Sequence, residues 1–214
     1  MQILSTFKNI KPVVAIDGTA GSGKGTLAKS LAKKLEFNHL DTGILYRIYA
    51  YESLYNKNNS IDLSSWFKSR NNFDKLRTEK ISQLASTISQ QKKVRESLVE
   101  VQREFADNPP NGKGSVIDGR DIGSVIIPNA EVKFFIDAKV EIRANRRIDQ
   151  LKLDTREYKN ILMAMISRDE KDINREISPL VRTEDSYFID SSHVDASEVL
   201  EMAIKYIKKS TDFI

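Results

Sequence analysis

Residues 13–35 read VVAIDGTAGSGKGTLAKSLAKKL, and this stretch decides the fold. Its first four residues, 13–16, form a short apolar run of the kind that makes a buried strand. A glycine-rich turn follows, and leucines then recur four residues apart at positions 27, 31 and 35, which is the spacing of one helix face. The stretch therefore predicts a strand, a tight loop and a helix in direct succession.

The loop in this stretch has the composition of a phosphate-binding loop. Gly18, Gly21, Gly23 and Gly25 lack a Cβ, so the backbone can curl and point several N–H groups into one concavity. The positive end of the helix that begins near Lys24 adds to the field, and the Lys24 ammonium can reach the outer phosphates of a nucleotide. A glycine-rich turn without a ligand is the alternative, but strand, loop and helix together are the context that a P-loop requires.

The loop departs from the common P-loop pattern, G-x-x-x-x-G-K-[ST], at one position. Gly18, Gly23 and Lys24 fit the pattern, whereas Gly25 stands where serine or threonine is usual, and Thr26 comes next. Direct ligation of Mg²⁺ by a hydroxyl at position 25 is therefore excluded. The GKGT form resembles that of the nucleoside monophosphate kinases.

Length and composition limit the other possibilities. The 214 residues suit one α/β domain, and the net charge of +4 is spread along the chain, which argues against a nucleic-acid partner. The chain has no cysteine, so disulfides, thiolate metal sites and a cysteine nucleophile are excluded. The start, MQILSTFKNIK, has no apolar signal segment, and no apolar run approaches 18 residues. We therefore expect a cytoplasmic protein without a membrane partner.

Strand and helix patterns alternate along the rest of the chain. Apolar runs predict further strands at 36–40, 115–118, 132–136 and 187–189. Helical spacing covers 78–88, 94–105, 140–152, 155–172 and 195–207, and the asparagine-rich stretch 51–74 predicts loops. The alternation predicts a parallel sheet wrapped by helices, with ligands at the carboxyl ends of the strands.

Four polar clusters follow these strands or lie in an arginine-rich arm. They are residues 41–47 (DTGILYR), 118–121 (DGRD), 143–147 (RANRR) and 168–175 (RDEKDINR). Each has a plain alternative, such as a surface salt bridge, an ion pair within a turn or a solvated basic face. Arg143, Arg146 and Arg147 would repel one another unless an anion lies among them. With a P-loop the clusters form a consistent set, because phosphoryl transfer needs positioning and charge neutralisation.

At this point the chain resembles the bacterial-type cytidylate kinases. The resemblance rests on GTAGSGKGT, LDTGILYR, VIDGRDIGSVI, the RANRR arm and SRDEKDINREISPL, in this order. Adenylate kinases share GKGT but have D-G-F-P-R at the position of residues 118–121. The resemblance implies an α/β P-loop fold, with a five-stranded parallel sheet flanked by helices, a small NMP-binding insertion and a lid arm, as one domain over 1–214. It also implies ATP with Mg²⁺ and CMP or dCMP as ligands, in a monomer without an obligate protein partner.

The resemblance further implies roles for individual residues. The ATP phosphates would be held by Gly18, Thr19, Ala20, Gly21, Ser22, Gly23, Lys24, Gly25 and Thr26, with no direct protein ligand to the metal. The monophosphate substrate would be held by Thr42, Arg47, Ser86, Arg95, Arg120, Asp121, Arg168, Asp172 and Arg175. Of these, Arg47 and Arg120 would hold the phosphate, and Ser86, Arg95 and Asp121 would recognise cytosine. Arg168 and Asp172 would contact the ribose, and Arg175 would support them. Catalysis would fall to Lys24, Arg120, Arg146 and Arg147, the last two in a mobile lid at 140–158.

One stretch departs from the family pattern. Residues 63–78 are few, asparagine-rich and without convincing strands, where such enzymes usually have a longer insertion with a small β-sheet. The NMP-binding segment, 42–106, is therefore expected to be shortened. A kinase for another monophosphate, UMP or AMP, stays open at this point. A P-loop GTP switch would need an N/T-K-x-D segment, which the sequence lacks, and a nucleic-acid-dependent ATPase would need a larger chain or a basic stripe.

Overall fold

The computed structural model describes residues 11–56, 61, 63, 66 and 70–213. The strands are β1 (Val13–Gly18), β2 (Asn38–Asp41), β3 (Ser115–Gly119), β4 (Val132–Asp137) and β5 (Tyr187–Asp190). The α-helices are α1 (Lys24–Leu35), α2 (Thr42–Tyr55), α3 (Glu79–Ile88), α4 (Lys92–Asp107), α5 (Val140–Leu151), α6 (Tyr158–Asn174) and α7 (Ala196–Ser210). Predictions made from residues 1–10, from the loops at 57–60 and from Phe67 lie outside the described residues.

The five strands form one parallel sheet in the order β2-β3-β1-β4-β5, which confirms the predicted fold class. Strand β1 lies in the middle, paired with β3 through Asp17 and Gly119 and with β4 through Gly18 and Ile136. All six of its residues are buried. Because the strands are parallel, the loops that follow β1, β3 and β4 leave the same edge of the sheet.

Helices cover both faces of the sheet, and β1 shows why. Its side chains alternate between the faces, as the two-residue period of a strand requires. Val14 and Ile16 pack with residues of α1 and α7 on one face, whereas Val13 and Ala15 pack with Ile117 and Ile122 on the other. A strand buried on both sides is an uninterrupted apolar run, which is the pattern at 13–16.

The NMP-binding segment has a small core of its own. Helices α2, α3 and α4 pack through one apolar cluster, and Ile48, Trp66 and Leu76 form a second one beside it. The buried Glu52 carboxylate accepts hydrogen bonds from Trp66 Nε1 at 2.8 Å and from Asn56 Nδ2 at 2.7 Å. Between 56 and 79 the described residues contain no strand; Leu63 and Trp66 are helical, and a 3₁₀ segment covers Arg70–Arg77.

One local prediction concerns the start of a helix. Helix α7 begins with the capping box expected at Asp195 and Glu198. Within the described residues, no helix combines the length and apolar character needed to cross a bilayer.

A buried ion pair joins α5, α6 and the loop after β1. Arg143 Nη1 on α5 lies 2.6 Å from Asp169 Oδ2 on α6 and donates to the carbonyl oxygen of Ala20 at 3.0 Å. The Ala20 amide in turn approaches Asp169 Oδ1 at 3.5 Å. The anion expected among the arginines of the arm is, for Arg143, a carboxylate of the protein itself: Asp169, which is 26 positions away in the chain.

Replacing this arginine tests the structural role of the pair. We expect Arg143→Met to lower the free energy of unfolding by about 3–5 kcal/mol, because Asp169 would stay buried without its cation. Chemical denaturation measures this loss. The matched control is Arg156→Met in the segment between the same helices, where the guanidinium is 87% exposed beside Asp154. That change should cost less than about 1 kcal/mol. Equal losses in the two variants would contradict the assignment.

Candidate active site

A cavity of about 610 Å³ opens at the carboxyl edge of the sheet. Its walls come from the loop after β1, from α2 and α3, from the turn after β3 and from α5 and α6. Most of the sequence-predicted site residues line it: Ala20, Gly21, Gly23, Lys24, Gly25, Thr26, Thr42, Arg47, Ser86, Arg95, Arg120, Asp121, Arg146, Arg147, Arg168, Asp172 and Arg175. Gly18, Thr19 and Ser22 lie outside this lining and act on the shape of the loop.

The backbone of the glycine loop requires glycine at specific positions. Gly21 and Gly23 have φ angles of +74° and +90°, in the left-handed region that disfavours other residues. At Gly18 an added Cβ would lie 1.9 Å from the carbonyl oxygen of Ile136, so the close approach of β1 to β4 excludes a side chain. The loop can therefore curl tightly over the end of the sheet.

The N-terminus of α1 faces the cavity without a capping side chain. Gly23 occupies the N-cap position, no side chain accepts from the helix amides there, and the first turn contains no acidic residue. Free amides and the positive end of the helix dipole together attract an anion. This terminus is therefore available to a phosphate group.

Hydroxyl groups of the loop hold its shape. Thr19 Oγ1 donates to Asp137 Oδ1 at 2.5 Å, and Ser22 Oγ donates to the Thr19 carbonyl at 3.1 Å. Ser191, after β5, donates to the carbonyl of Ser22 at 2.8 Å. The side-chain O–H groups of Thr19 and Ser22 are thus used within the protein, so only the backbone amides of these residues remain as donors to a phosphate.

Lys24 lies at the start of α1, where its Nζ donates to the Thr19 carbonyl at 3.1 Å. Burial in the cleft, together with the nearby Arg120 guanidinium, lowers the pKa of Lys24 to about 7. The carboxylates of Asp118 and Asp41 act in the opposite direction. An anion bound here would restore the full charge of the ammonium group.

Arginines from several segments converge on the same cavity. Burial, followed by repulsion from Arg120, lowers the pKa of Arg168 to about 10, and its Nε has no hydrogen-bond partner among the described residues. Burial also lowers the pKa of Arg47, with Asp41 opposing and Arg120 adding to the effect. Such mutual repulsion is relieved when an anion enters, so the wall is suited to phosphate groups.

Arg120 is held in place by a carboxylate on α6. Its Nε donates to Asp172 Oδ2 at 2.8 Å. Burial alone would lower the pKa of Arg120, but Asp172 keeps it above its ordinary value. The pair fixes the guanidinium between the turn after β3 and α6.

A second group of polar side chains surrounds Asp121. Its carboxylate forms a buried ion pair with Arg95, whose Nη1 also donates to the Ser89 carbonyl at 3.1 Å. Arg175 Nη2 lies 3.6 Å from Asp121 Oδ1, beyond hydrogen-bonding distance. Burial raises the pKa of Asp121, while Arg95 and Arg175 oppose that shift.

Two polar atoms of this group have no hydrogen-bond partner among the described residues. They are Ser86 Oγ and Arg175 Nη2, and both are buried. Buried polar atoms are nearly always hydrogen-bonded, so unsatisfied ones lining a cavity indicate a polar ligand. Together with Arg95 and Asp121 they offer both donors and acceptors to such a ligand.

The three arginines of the arm at 143–147 bind different parts of the protein. Arg146 donates to the carbonyl of Ser191 at 2.6 Å, and Arg147 Nη2 lies 3.3 Å from Glu79 Oε2 on α3. With Arg143 paired to Asp169, each guanidinium has its own protein partner. The repulsion predicted for an arm without an anion is therefore offset at Arg143 and Arg147 by carboxylates of the protein. Arg146 and Arg147 line the cavity.

Thr42 lines the cavity at the start of α2, but its hydroxyl has a partner in the sheet. Thr42 Oγ1 donates to the Asp118 carbonyl at 2.8 Å. The Asp118 carboxylate is paired with His39, whose Nε2 lies 2.7 Å away. In this structure both groups join the ends of β2 and β3.

Among the charged residues of the cavity wall that sequence reasoning missed are Arg77 and Glu79. They flank Thr78, whose hydroxyl accepts the Ile81 amide at 3.3 Å and caps α3. A capping threonine could have been recognised from the sequence. The direction in which α3 points could not, because it depends on packing against α2 and α4.

Comparison with known proteins identifies the family. A family model described as cytidylate kinase matches residues 14–209. The cytidylate kinase of Bradyrhizobium diazoefficiens is 40% identical over 205 residues, which cover 92% of this chain and 95% of the relative. That of Paramagnetospirillum magneticum is 39% identical over 204 residues, covering 91% and 97% of the two chains.

Solved structures support the fold alone. An uncharacterized protein from Eubacterium ventriosum superposes with a TM-score of 0.59 at 17% identity, covering 92% of this chain and 99% of that one. A gluconokinase from Sinorhizobium meliloti superposes with a TM-score of 0.51 at 10% identity, covering 94% of each chain. The family model and the relatives over nine tenths of the sequence, together with a P-loop cavity, lead to one assignment: this chain belongs to the cytidylate kinase family.

Proposed function

We propose that this protein transfers the γ-phosphate of ATP to CMP or dCMP, giving ADP and CDP or dCDP. Membership of the cytidylate kinase family supports the reaction. The observation that supports it most directly in the structure is a single cavity lined by both the P-loop Lys24 and the Arg95–Asp121 pair. Such a cavity can hold a donor phosphate chain and a polar acceptor base together.

The donor nucleotide binds over the N-terminus of α1. Free amides of the glycine loop bind phosphate oxygens, and Lys24 neutralises the outer phosphates. An oxygen of the CMP phosphate attacks the γ-phosphorus while the bond to the β–γ bridging oxygen breaks. Charge builds on the transferring oxygens, and the cations Lys24, Arg120, Arg146 and Arg147 stabilise it.

Mg²⁺ accompanies ATP in this proposal, and the residues present fit that role. No group of three or more histidine or acidic side chains suited to a metal is found among the described residues. Magnesium bound with a nucleotide needs only one or two carboxylates, since phosphates and water supply the other ligands. Asp41 and Asp118 line the cavity and influence the pKa of Lys24, so they are carboxylates near the phosphates, and Asp118 would have to share its charge with His39. The ion would neutralise phosphate charge.

The acceptor binds where Asp121 and Arg95 meet. Cytosine offers an amino donor at N4 beside an acceptor at N3, whereas uracil offers an acceptor at O4 beside an N3–H donor. A carboxylate only accepts, and a guanidinium only donates, so this pair suits cytosine. Ser86 and Arg175 complete the base site. Arg47 and Arg120 hold the phosphate with Thr42 beside them, and Arg168 and Asp172 contact the ribose.

The proposal also keeps the domain plan, with a shortened NMP-binding segment at 42–106 and a lid at 140–158 in a monomeric cytoplasmic enzyme. The contact between these two parts in the structure includes one ion pair, Arg147 with Glu79. The Glu79 side chain is 41% exposed, so solvent screens the pair. Partly exposed pairs contribute little, about 0–1 kcal/mol, so this contact between the lid and the NMP-binding segment can break at small cost.

Removing the P-loop charge tests the chemistry. We expect Lys24→Ala to reduce kcat on the order of 10²-fold or more, because a cation that stabilises the transition state is lost. The control is Lys33→Ala, an exposed lysine on the same helix, which should leave kcat unchanged. Turnover of a folded Lys24→Ala protein near the wild-type rate would refute phosphoryl transfer at this loop.

Hydrogen exchange tests the lid. A bisubstrate analogue should supply phosphate partners to Arg146 and Arg147, so amides in 140–158 should become more protected when it binds. Helix α7, on the far side of α1, serves as an internal control. Equal protection of 140–158 with and without the analogue would rule out a lid in this segment.

Replacing Asp121 tests recognition of the base. Asp121→Asn should shrink the CMP-over-UMP ratio of kcat/KM, because the amide can turn its NH₂ toward uracil O4. Each unpaired polar group costs about 1–3 kcal/mol, which corresponds to a preference for CMP over UMP of about one or two factors of ten. Asp169→Asn is the control, since this carboxylate is also paired with a buried arginine but does not line the cavity. An unchanged ratio in Asp121→Asn would mean that Asp121 does not recognise the base.

A further inference from the structure

We infer that Asp17, the residue before the first glycine of the P-loop, is a positioning residue for the acceptor nucleotide. It sets the backbone of Arg120 and Asp121 and does not bind ATP. The inference rests on the proposed function and names a residue to which neither the motif analysis nor the cavity lining gave a role.

The Asp17 carboxylate is buried and used entirely by the backbone of another segment. Its side chain does not line the cavity, and the residue is 5% exposed. Oδ1 accepts the amide of Ile122 at 2.8 Å, and Oδ2 accepts the amide of Gly123 at 2.7 Å. Both oxygens therefore hold consecutive amides that come directly after Asp121.

The same residue also fixes the chain before Arg120. In the sheet, Asp17 is the register partner of Gly119, the last residue of β3. Only Arg120 and Asp121 lie between Gly119 and Ile122. Asp17 thus holds this two-residue span at both ends, by strand pairing on one side and by its side chain on the other.

The turn beyond the span adds to its rigidity. The carbonyl oxygen of Asp121 accepts amides from Val125 at 2.9 Å and Ile126 at 3.0 Å, in a single π-helical turn. A shift of the Ile122 amide would therefore move the Asp121 backbone with it. Since Asp121 pairs with Arg95 and Arg120 pairs with Asp172, such a shift would displace both ion pairs of the acceptor site.

Only a carboxylate satisfies this arrangement. Two converging N–H donors need two acceptors, and an asparagine would turn its NH₂ group toward one of them. Burial raises the pKa of Asp17 to about 7, and the two amides oppose that shift. The hydrogen bonds thus help to retain the charge on a group that burial disfavours.

The test separates acceptor binding from donor binding. We would prepare Asp17→Asn and the smaller Asp17→Ser, and measure KM for CMP, the CMP-over-UMP ratio of kcat/KM, the dissociation constant of ATP and the melting temperature. We expect KM for CMP to rise on the order of tenfold and the ratio to fall, with the dissociation constant of ATP unchanged within about twofold.

The control is Glu131→Gln, a residue just before β4 whose carboxylate binds the opposite end of β1. The Glu131 carboxylate accepts the amide of Val13 at 2.7 Å, so it matches Asp17 in binding a backbone amide but lies far from the turn. This variant should show no difference between its effects on CMP and on ATP.

The outcomes are distinguishable. If ATP and CMP weaken together, if neither changes, or if both Asp17 variants fail to fold, the positioning role is overturned. A wild-type protein that does not phosphorylate CMP would overturn the proposed function instead. If the wild type phosphorylates CMP but the folded Asp17 variants do not affect CMP more than ATP, only the role of Asp17 is overturned.

Discussion

The site depends on the parallel pairing of β1 between β3 and β4. This pairing puts Asp17 beside Gly119 and Gly18 beside Ile136, so the glycine loop and the turn containing Arg120 and Asp121 leave the sheet at one edge. Parallel strands need long crossover connections. The crossover between β2 and β3 contains α2, α3 and α4, which line one wall of the cavity, and the one between β4 and β5 contains α5 and α6. The order of the strands therefore brings the glycine loop and the turn with Arg120 and Asp121 to a single cavity.

Cations repel one another in this cavity when it is empty, and an anionic ligand would relieve that repulsion. Burial, followed by repulsion from Arg120, lowers the pKa values of Lys24 and Arg168. Carboxylates offset part of the repulsion where geometry must be fixed, as Asp172 does for Arg120. Unsatisfied atoms such as Arg168 Nε remain where the ligand would bind. The protein thus pairs Arg120 with a carboxylate but gives Arg168 Nε no hydrogen-bond partner among the described residues.

Local patterns in the sequence were enough to predict the sheet, most helices and the capping box at Asp195, because these depend on neighbouring residues. The resemblance to a family supplied residues that the cavity then brought together. Long-range partners could not be predicted. Asp17 accepts the Ile122 amide across 105 positions, and Arg143 meets Asp169 only because α5 packs against α6. The partners of the arginine arm could not be predicted for the same reason, since charge spacing within one helix says nothing about carboxylates on another.

The central claim is that one cavity joins a P-loop to a cytosine-selective acceptor site. It is tested most directly by the values of kcat/KM for a panel of CMP, dCMP, UMP, AMP and GMP at saturating ATP and Mg²⁺. The account predicts that CMP or dCMP exceeds every other monophosphate by about a decade or more, as expected when a wrong base leaves buried polar groups unpaired. A value for UMP or AMP equal to that for CMP, or no ADP formation with any monophosphate, would contradict it.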